Sequence, residues 1–188
     1  MPTREDAWKL LAEYVSSESL RKHCLAVEAA LRAYARQLGE DEEKWGVAGL
    51  LHDFDYEKYP VPNPETHTGH PFAGEKILRE RGYPEEIIRA IQGHATYSGV
   101  LRDTPMAKCL FAVDELCGFV MACAYMRPDR FATMTPESVE KNLKKKGFAA
   151  KINRAEIDQG ITELGIDRAE HIQLVIAALG GIASELGF

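Results

Sequence analysis

The chain has almost none of the alternating apolar and polar pattern that indicates β-strands, and it has no pair of cysteines spaced as CxxC. The missing CxxC pair argues against a structural zinc site built on clustered thiolates. Four cysteines are present, and all of them fall in apolar segments with helical periodicity: Cys24, Cys109, Cys117 and Cys123. We therefore expect buried free thiols in a reducing compartment.

The sequence also lacks a segment suited to a membrane or to export. Its first ten residues, MPTREDAWKL, contain no apolar stretch of signal-peptide type. The longest apolar run, 109–126, carries Asp114 and Glu115 near its centre, and each acidic residue would cost about 2.5–3.5 kcal/mol in a bilayer. We expect this run to be a core helix of a cytoplasmic protein that has no membrane partner.

Positive charge is in short supply, because 29 acidic residues outnumber 23 lysines and arginines and the formal net charge is -6. This balance disfavours nucleic acid as a partner, although a local basic patch is compatible with it. The segment 141–154 is such a patch, with six basic residues in 14 positions. Its cations would attract a phosphorylated ligand if they lie near an active centre, and otherwise they form a solvated helix face. The sequence leaves a homo-oligomer open.

Helical periodicity dominates, so we predict an all-α fold in a single domain, 1–188. Its core is a helical bundle over about 18–128, and a C-terminal helical extension of about 129–188 packs on the same domain. Capping residues, glycines and prolines indicate where the helices begin and end. The expected helices are 4–15, a segment capped by Ser17 or Ser19 that runs to 38, a segment from Asp41 to about 52, 71–81, 84–94, 105–126, a basic helix that starts at 135, 155–164 and 168–186.

The sequence contains a spaced set of six histidines and aspartates. Most of them occur at or near the ends of predicted helices, and several interrupt apolar stripes. His23, for example, shares a stripe with Leu20 and Val27. An unpaired imidazole or carboxylate is costly to bury, so such groups are normally paired or bound to a metal. We therefore expect a shared metal site, with these candidate ligands: His23, His52, Asp53, His70, His94 and Asp114.

The mixture of neutral nitrogen and anionic oxygen donors indicates which metal to expect. Such a mixture suits Mn, Fe, Co, Ni or Zn better than Ca, so we predict one or two divalent transition metal ions as the cofactor. A bound ion would lower the pKa of a coordinated water from about 15.7 towards about 7 and would neutralise charge on a phosphate oxygen. These two effects suffice in principle to hydrolyse a phosphomonoester or a phosphodiester.

Four of the six residues, in their order along the chain, resemble the H…HD…D signature of the HD superfamily of metal-dependent phosphohydrolases: His23, His52, Asp53 and Asp114. The first histidine is on the helix before the HD pair, and the final aspartate is in a long apolar helix. The resemblance covers about 20–126. It implies an HD-domain-like all-α bundle and a phosphohydrolase that acts on a small phosphate ester or a nucleotide.

Two further histidines resemble the additional ligands of HD members that hold two metal ions, including the HDIG-type branch. They are His70, in HPFAGEKIL, and His94, in IQGHATYSG. In this resemblance Asp53 bridges the two ions, and the two additional histidines help to hold the second ion. The chain departs from the HDIG tetrapeptide, since Phe54-Asp55 follows its HD pair, and it has one histidine where the cyclic-dinucleotide-degrading branch has two.

Two other functions are compatible with the same residues. A related HD branch resembles mixed-valent di-iron oxygenases that cleave C–C or C–P bonds, and His70 and His94 permit that chemistry equally well. The other alternative is a non-catalytic module that binds a metal or a ligand. The nearly complete ligand set argues against that module, because a degenerate site would be expected to have lost ligands.

Residues next to the predicted ligands are candidates for catalysis and substrate binding. Asp55, Glu57 and Lys58 follow the HD pair, where one of them could orient a ligand or protonate the leaving group. With the bridging Asp53, the predicted catalytic residues are Asp55 and Lys58. The predicted substrate-binding residues follow the fifth and sixth helices: Tyr97, Arg127 and Arg130.

The segment 55–70 cannot be helical throughout, because three prolines fall within five positions: Pro60, Pro62 and Pro64. It directly follows the HD pair, so we expect a loop that shapes a pocket beside the metal. Two other histidines are expected to lie outside the site. His67 is in this loop, and His171 is among polar residues of the last helix and is expected to be solvated.

Overall fold

The computed structural model describes residues 1–188 and contains ten α-helices, a short 3-10 turn at Thr96–Ser98 and no β-sheet. The predicted all-α fold is therefore confirmed. The helices are α1 Arg4–Tyr14, α2 Glu18–Leu38, α3 Glu42–Leu51, α4 Phe72–Glu80, α5 Glu85–His94, α6 Pro105–Tyr125, α7 Pro136–Leu143, α8 Arg154–Leu164, α9 Arg168–Gly181 and α10 Ala183–Leu186.

Side-chain caps begin several helices where the sequence predicts them. Ser17, Asp41 and Thr104 cap α2, α3 and α6, and each side chain accepts the backbone N–H three residues further on. Gly39 ends α2 with a φ of 71°, a left-handed conformation that glycine adopts without steric cost. Local capping thus determines the ends of the two longest helices, α2 and α6, which frame the centre of the molecule.

Several helix boundaries differ from the prediction, most of them by a single residue. Pro84 caps α5 instead of forming its first residue. The basic helix α7 ends before Lys144, so the run of three lysines lies in the following segment. The predicted helix 168–186 breaks at Ile182 into α9 and α10. The two glycines before this break are poor helix formers, and consecutive poor formers explain why the helix does not continue.

The central helix is α6, of which 14 of 21 residues are buried. A single cluster of 45 buried apolar residues includes side chains from α1 through α10. Two glycines permit the closest helix contacts: an added Cβ at Gly49 of α3 would lie 2.9 Å from the backbone of Glu28 in α2, and one at Gly160 of α8 would lie 2.6 Å from Ala112 in α6. The close packing of α3 on α2 brings the end of α3, where the HD pair lies, near α2.

None of the ten helices combines the length and the hydrophobicity that a bilayer span requires. The apolar run that contains Asp114 instead forms most of α6, the buried core helix. All four cysteines are buried free thiols, as predicted. Burial raises the pKa of Cys24 and Cys109 to about 12, so these thiols are protonated and unreactive at neutral pH.

Candidate metal centre

His23, His52 and Asp114 form the first of two groups of potential metal ligands, which we call the outer triad. They come from α2, from the residue after α3, and from the middle of α6. Asp114 Oδ1 lies 2.9 Å from His23 Nε2 and 3.4 Å from His52 Nε2. The two ring nitrogens are 3.2 Å apart. The fold thus gathers three ligand atoms at one point from segments that are distant in the sequence.

Asp53, His70 and His94 form the second group, which we call the inner triad. Asp53 Oδ1 lies 3.4 Å from the Nε2 atoms of both histidines, and these two nitrogens are 3.2 Å apart. His94 is the last residue of α5, and His70 is in the loop before α4. All six ligands predicted from the sequence therefore lie in two adjacent triads.

Asp53 lies between the two triads and presents one carboxylate oxygen to each. Its Oδ1 belongs to the inner triad, as described above. Its Oδ2 lies 3.4 Å from His52 Nε2 and 3.8 Å from His23 Nε2 in the outer triad. This is the arrangement required of a carboxylate that bridges two ions.

The hydrogen bonds behind the rings determine what the histidines present to the centre. Three Nδ1 atoms face groups that can only accept: His52 faces the carbonyl of Gly49, His94 the carbonyl of Ile91, and His70 the carboxylate of Asp55. In the neutral form, each ring therefore carries its proton on Nδ1 and directs an Nε2 lone pair inward. In the inner triad, the Nε2 atoms of His70 and His94 are 3.2 Å apart, so their lone pairs repel each other unless a cation lies between them.

The spacing of the ligand atoms also fits a metal. Donor atoms about 2.0–2.1 Å from one ion lie about 2.9–3.4 Å apart in octahedral or tetrahedral coordination. The separations are 2.9, 3.2 and 3.4 Å in the outer triad and 3.2, 3.4 and 3.4 Å in the inner triad. With imidazole and carboxylate donors and no thiolate, each triad fits one divalent transition metal ion.

The electrostatics of the centre show why it needs positive charge. Burial alone would lower the pKa of His52, but the charges of Asp53 and Asp114 raise that pKa well above its usual value. Burial would likewise raise the pKa values of the two aspartates, but the neighbouring histidines hold both well below the usual range. The carboxylates are thus anionic and attract a cation, which is a proton or a metal ion. Metal binding should therefore release protons.

Asp55 lies behind the inner triad and is almost fully buried. Its Oδ1 accepts the Nδ1 proton of His70 at 2.7 Å, and its Oδ2 accepts the backbone N–H of Gly74 at 2.7 Å. A Cβ at Gly74 would come within 2.9 Å of the carboxylate, so glycine is needed for this packing. Since both oxygens are occupied, the structure places Asp55 as the residue that orients His70 and not as a proton donor to substrate.

Tyr97 lies beside the segment that carries His70. Its hydroxyl donates to the backbone carbonyl of His70 at 3.2 Å, and its ring is partly exposed. Burial raises the pKa of Tyr97 to about 12, with a further contribution from the charges of Asp53 and Asp55. The hydroxyl therefore remains a protonated donor at neutral pH.

Three basic residues proposed from the sequence for catalysis or substrate binding have other partners. Lys58 Nζ lies over the ring of Tyr14, 4.0 Å from its centroid. Arg127 pairs with Asp129 at 3.2 Å, and Arg130 donates to backbone carbonyls at the end of α6. That end is roughly 16 Å along the helix axis from the ligand in α6. The two arginines thus stabilise the turn after α6 and are remote from the metal centre.

The expectation that His171 is solvated is wrong, because its side chain is completely buried. Its Nε2 donates to the carbonyl of Ala112 at 3.1 Å, and its Nδ1 accepts the hydroxyl proton of Tyr34. Burial lowers the pKa of His171 to about 4, so it is neutral at pH 7. The remaining histidine, His67, lies exposed in the loop before α4.

Two glutamates near the outer triad have roles that the sequence does not reveal. The Glu57 carboxylate accepts the backbone N–H groups of Ser16 and Ser17 at 3.1 and 3.0 Å. This clamp ties the segment after the HD pair to the start of α2, but its partners are 40 residues away in the sequence. Glu115 accepts the N–H of Asn153 at 3.1 Å. Glu115 directly follows the ligand in α6, so its position in the sequence could have identified it as a residue near the metal centre.

The HD domain family model matches residues 20–118 of the chain. The match covers more than half of the chain, so the chain belongs to the HD domain family. All six ligands of the two triads fall within it. No curated protein and no solved structure matches the chain. HD domains bind divalent metals, and most members of the family are metal-dependent hydrolases.

Proposed function

We propose that the protein is a metal-dependent phosphohydrolase that acts on a small phosphate ester or a nucleotide. One observation carries this proposal: two triads, each fitting one divalent ion, share the carboxylate of Asp53. Two adjacent ions can orient a phosphoryl group and stabilise both the attacking and the leaving oxygen. The second triad also supports placement in the HDIG-type branch, and the four buried free thiols support a cytoplasmic location.

The reaction replaces one phosphorus–oxygen bond with another. A water oxygen bonds to phosphorus, the bond from phosphorus to the ester oxygen breaks, and the two water protons are shared between the released alcohol and phosphate. Bound divalent ions would supply an acidified water molecule and would neutralise charge on the phosphate oxygens. Because only hydrolysis is involved, no oxidant or further substrate is required.

The chain's own residues contribute positioning. His52, His70 and His94 are held by hydrogen bonds behind their rings, so their Nε2 atoms need little rearrangement to bind. Asp53, which both triads share, would help to hold both ions. Tyr97 keeps its proton and donates it to the backbone carbonyl of His70, so it supports the segment that carries this ligand.

The test begins with elemental analysis of the purified protein, followed by removal of metal with a chelator. The metal-free protein is then given Mn, Fe, Co, Ni or Zn and assayed for phosphate release from a panel of monoesters, diesters and nucleotides. We expect two ions per chain and activity that depends on at least one of these metals. Failure to hydrolyse any ester with every metal would refute the proposal. Iron content together with substrate-dependent oxygen uptake would indicate the oxygenase alternative.

A further inference from the structure

The metal centre is open on one side only. The side chains of His23, Asp53 and Asp114 are 21, 17 and 19% exposed. The ligands His70 and His94 are 3 and 6% exposed, so these two rings are nearly closed to solvent. A substrate therefore meets His23, Asp53 and Asp114 first.

A cavity of about 410 Å³ adjoins the outer triad, and we call it the entry cavity. This volume lies within the range of about 300–1,000 Å³ that is typical of small-molecule sites. The cavity touches a metal ligand directly, since the His23 ring forms part of its wall. The residues that line it are Ser17, Ser19, Leu20, His23, Tyr56, Glu57 and Pro60.

The charged residues around the entry cavity limit which ligands it suits. No lysine or arginine lines it, and its acidic residue, Glu57, is engaged by the backbone of Ser16 and Ser17. A chain of phosphates would need lysine or arginine partners, so this environment does not suit a di- or triphosphate.

The remaining walls suit a neutral group. Tyr56 is 47% exposed and packs edge-on against the ring of His70, 5.4 Å between centroids, so its outer face is free for stacking. Leu20 and Pro60 add apolar surface, and the Ser19 hydroxyl offers a hydrogen bond. Apolar walls with a few polar groups are typical of small-molecule subsites.

We propose that the entry cavity binds the leaving alcohol of a phosphate monoester, and that this alcohol is uncharged and carries a planar ring, as in a nucleoside or a phenol. This inference rests on the proposed function and narrows its substrate class. The phosphoryl group would lie at the two ions, and its ester oxygen would face the cavity. Tyr56 is the specificity-determining residue, because its ring provides the stacking surface.

The lysine-rich segment after α7 is the rival source of phosphate binding. Its Ile152 side chain lies beside Gly118, where an added Cβ would be 3.0 Å from Ile152 and 4.0 Å from His23. Lys151 is exposed and has no ion-pair partner. If this lysine reaches the ions, the protein would prefer substrates with several phosphates.

The first experiment compares kcat/KM for adenosine mono-, di- and triphosphate, and for benzyl phosphate and methyl phosphate, whose alcohols are leaving groups of similar acidity, using the metal-loaded protein. We expect the monophosphate to exceed the triphosphate at least about tenfold, and benzyl phosphate to exceed methyl phosphate. Equal or better use of the triphosphate would overturn the inference but not the proposed function. Absence of turnover with every ester would instead refute the proposed function, and this inference with it.

The second experiment uses variants of the cavity. Tyr56→Ala should reduce the preference for benzyl over methyl phosphate about tenfold, whereas Tyr56→Phe keeps the ring and should keep the preference. Ser19→Arg places a cation in the cavity and should raise the triphosphate-to-monophosphate ratio. Metal content is measured for each variant, to separate these effects from damage to the triads. An unchanged preference in Tyr56→Ala, or a triphosphate ratio that falls in Lys151→Ala, would contradict the inference.

Discussion

The molecule buries histidines in two places, at the metal centre and at His171, and the two places differ in what surrounds the rings. At His171 both nitrogens are paired, because one donates to a carbonyl and the other accepts a hydroxyl proton from Tyr34. In the inner triad, the Nδ1 atoms of His70 and His94 are paired, but their Nε2 atoms face each other. Burial alone therefore does not identify a metal ligand.

The difference lies in the chemistry of the partners. When one ring nitrogen of a histidine donates a hydrogen bond and the other accepts one, the neutral residue has both of its partners. Such a histidine stabilises the core without an ion. A histidine whose Nδ1 proton is already donated and whose Nε2 lone pair faces another lone pair needs a cation as the partner of Nε2. The carboxylates of Asp53 and Asp114 beside these lone pairs strengthen the preference for positive charge.

Asp53→Ala should show the largest effect, because it removes the carboxylate that the two triads share. Metal stabilisation of a phosphoryl transition state is worth several kcal/mol, so we expect phosphate release to fall by about 1000-fold or more. Bound metal should fall below two ions per chain. Phosphate release, elemental analysis and circular dichroism check this. Asp129→Ala, which removes a carboxylate at the turn after α6, is the matched control and should retain activity.

Asp55→Asn tests whether the hydrogen bond behind a ring matters as much as the ligand itself. The amide keeps the shape but loses the charge that holds the His70 proton on Nδ1. We expect metal affinity to fall by about 10–100-fold, mainly at the inner triad. Titration against a chromophoric chelator measures this, with Asp103→Asn, an exposed residue paired with Arg89, as the control. Two sites of wild-type affinity in Asp55→Asn would show that the orienting role is wrong.

His171 should affect stability and its pH dependence without affecting metal binding. Its pKa is about 4 in the folded protein and about 6.5 when unfolded, so the unfolded chain binds the extra proton first as the pH falls. The stabilisation is therefore complete above pH 6.5 and is lost as the pH falls towards 4. Between pH 7.5 and pH 5 the loss is about 2 kcal/mol from this residue.

The measurement is the free energy of unfolding from urea titrations of metal-free protein at both pH values. His171→Gln retains polar atoms but does not titrate, so its stability should depend less steeply on pH by about the same 2 kcal/mol. The titrating groups of the metal centre are common to both proteins and cancel in the difference. If stability depends on pH equally in the two proteins, His171 does not contribute to that dependence. A changed metal content in His171→Gln would contradict the claim that His171 is independent of the metal centre.

The comparison also explains how far the sequence could predict the site. The six ligands were recognisable because their residue types and their spacing follow a pattern along the chain. The burial of His171 could not be predicted from the sequence, because its neighbours Arg168 and Glu170 are polar. Its partner Tyr34 lies 137 residues earlier. Pairing across such distances depends on helix packing, which local periodicity does not determine.

The basic residues also show that the sequence does not determine the surroundings of a side chain. Arg127 and Arg130 follow a helix that carries a ligand, but helix length places them at its far end, where carbonyls and Asp129 satisfy them. The helix boundaries were predicted more closely, since caps such as Ser17 and Gly39 act within a few residues. Local interactions are readable from sequence, whereas the surroundings of a side chain require the fold.

Lys58→Ala should have the smallest effect, and it tests whether proximity in sequence to the HD pair implies a catalytic role. The ammonium lies over the Tyr14 ring, and Tyr14 in turn packs against Phe54, 5.3 Å between centroids. An exposed cation–π contact contributes little, so we expect kcat/KM to change less than about twofold and metal content to remain the same. Steady-state kinetics on a monoester measures this, with Lys76→Ala as a control for loss of one exposed lysine. A 100-fold drop in kcat/KM in Lys58→Ala, but not in Lys76→Ala, would show that Lys58 takes part in the reaction. It would also show that the Lys58 side chain leaves Tyr14 when substrate binds.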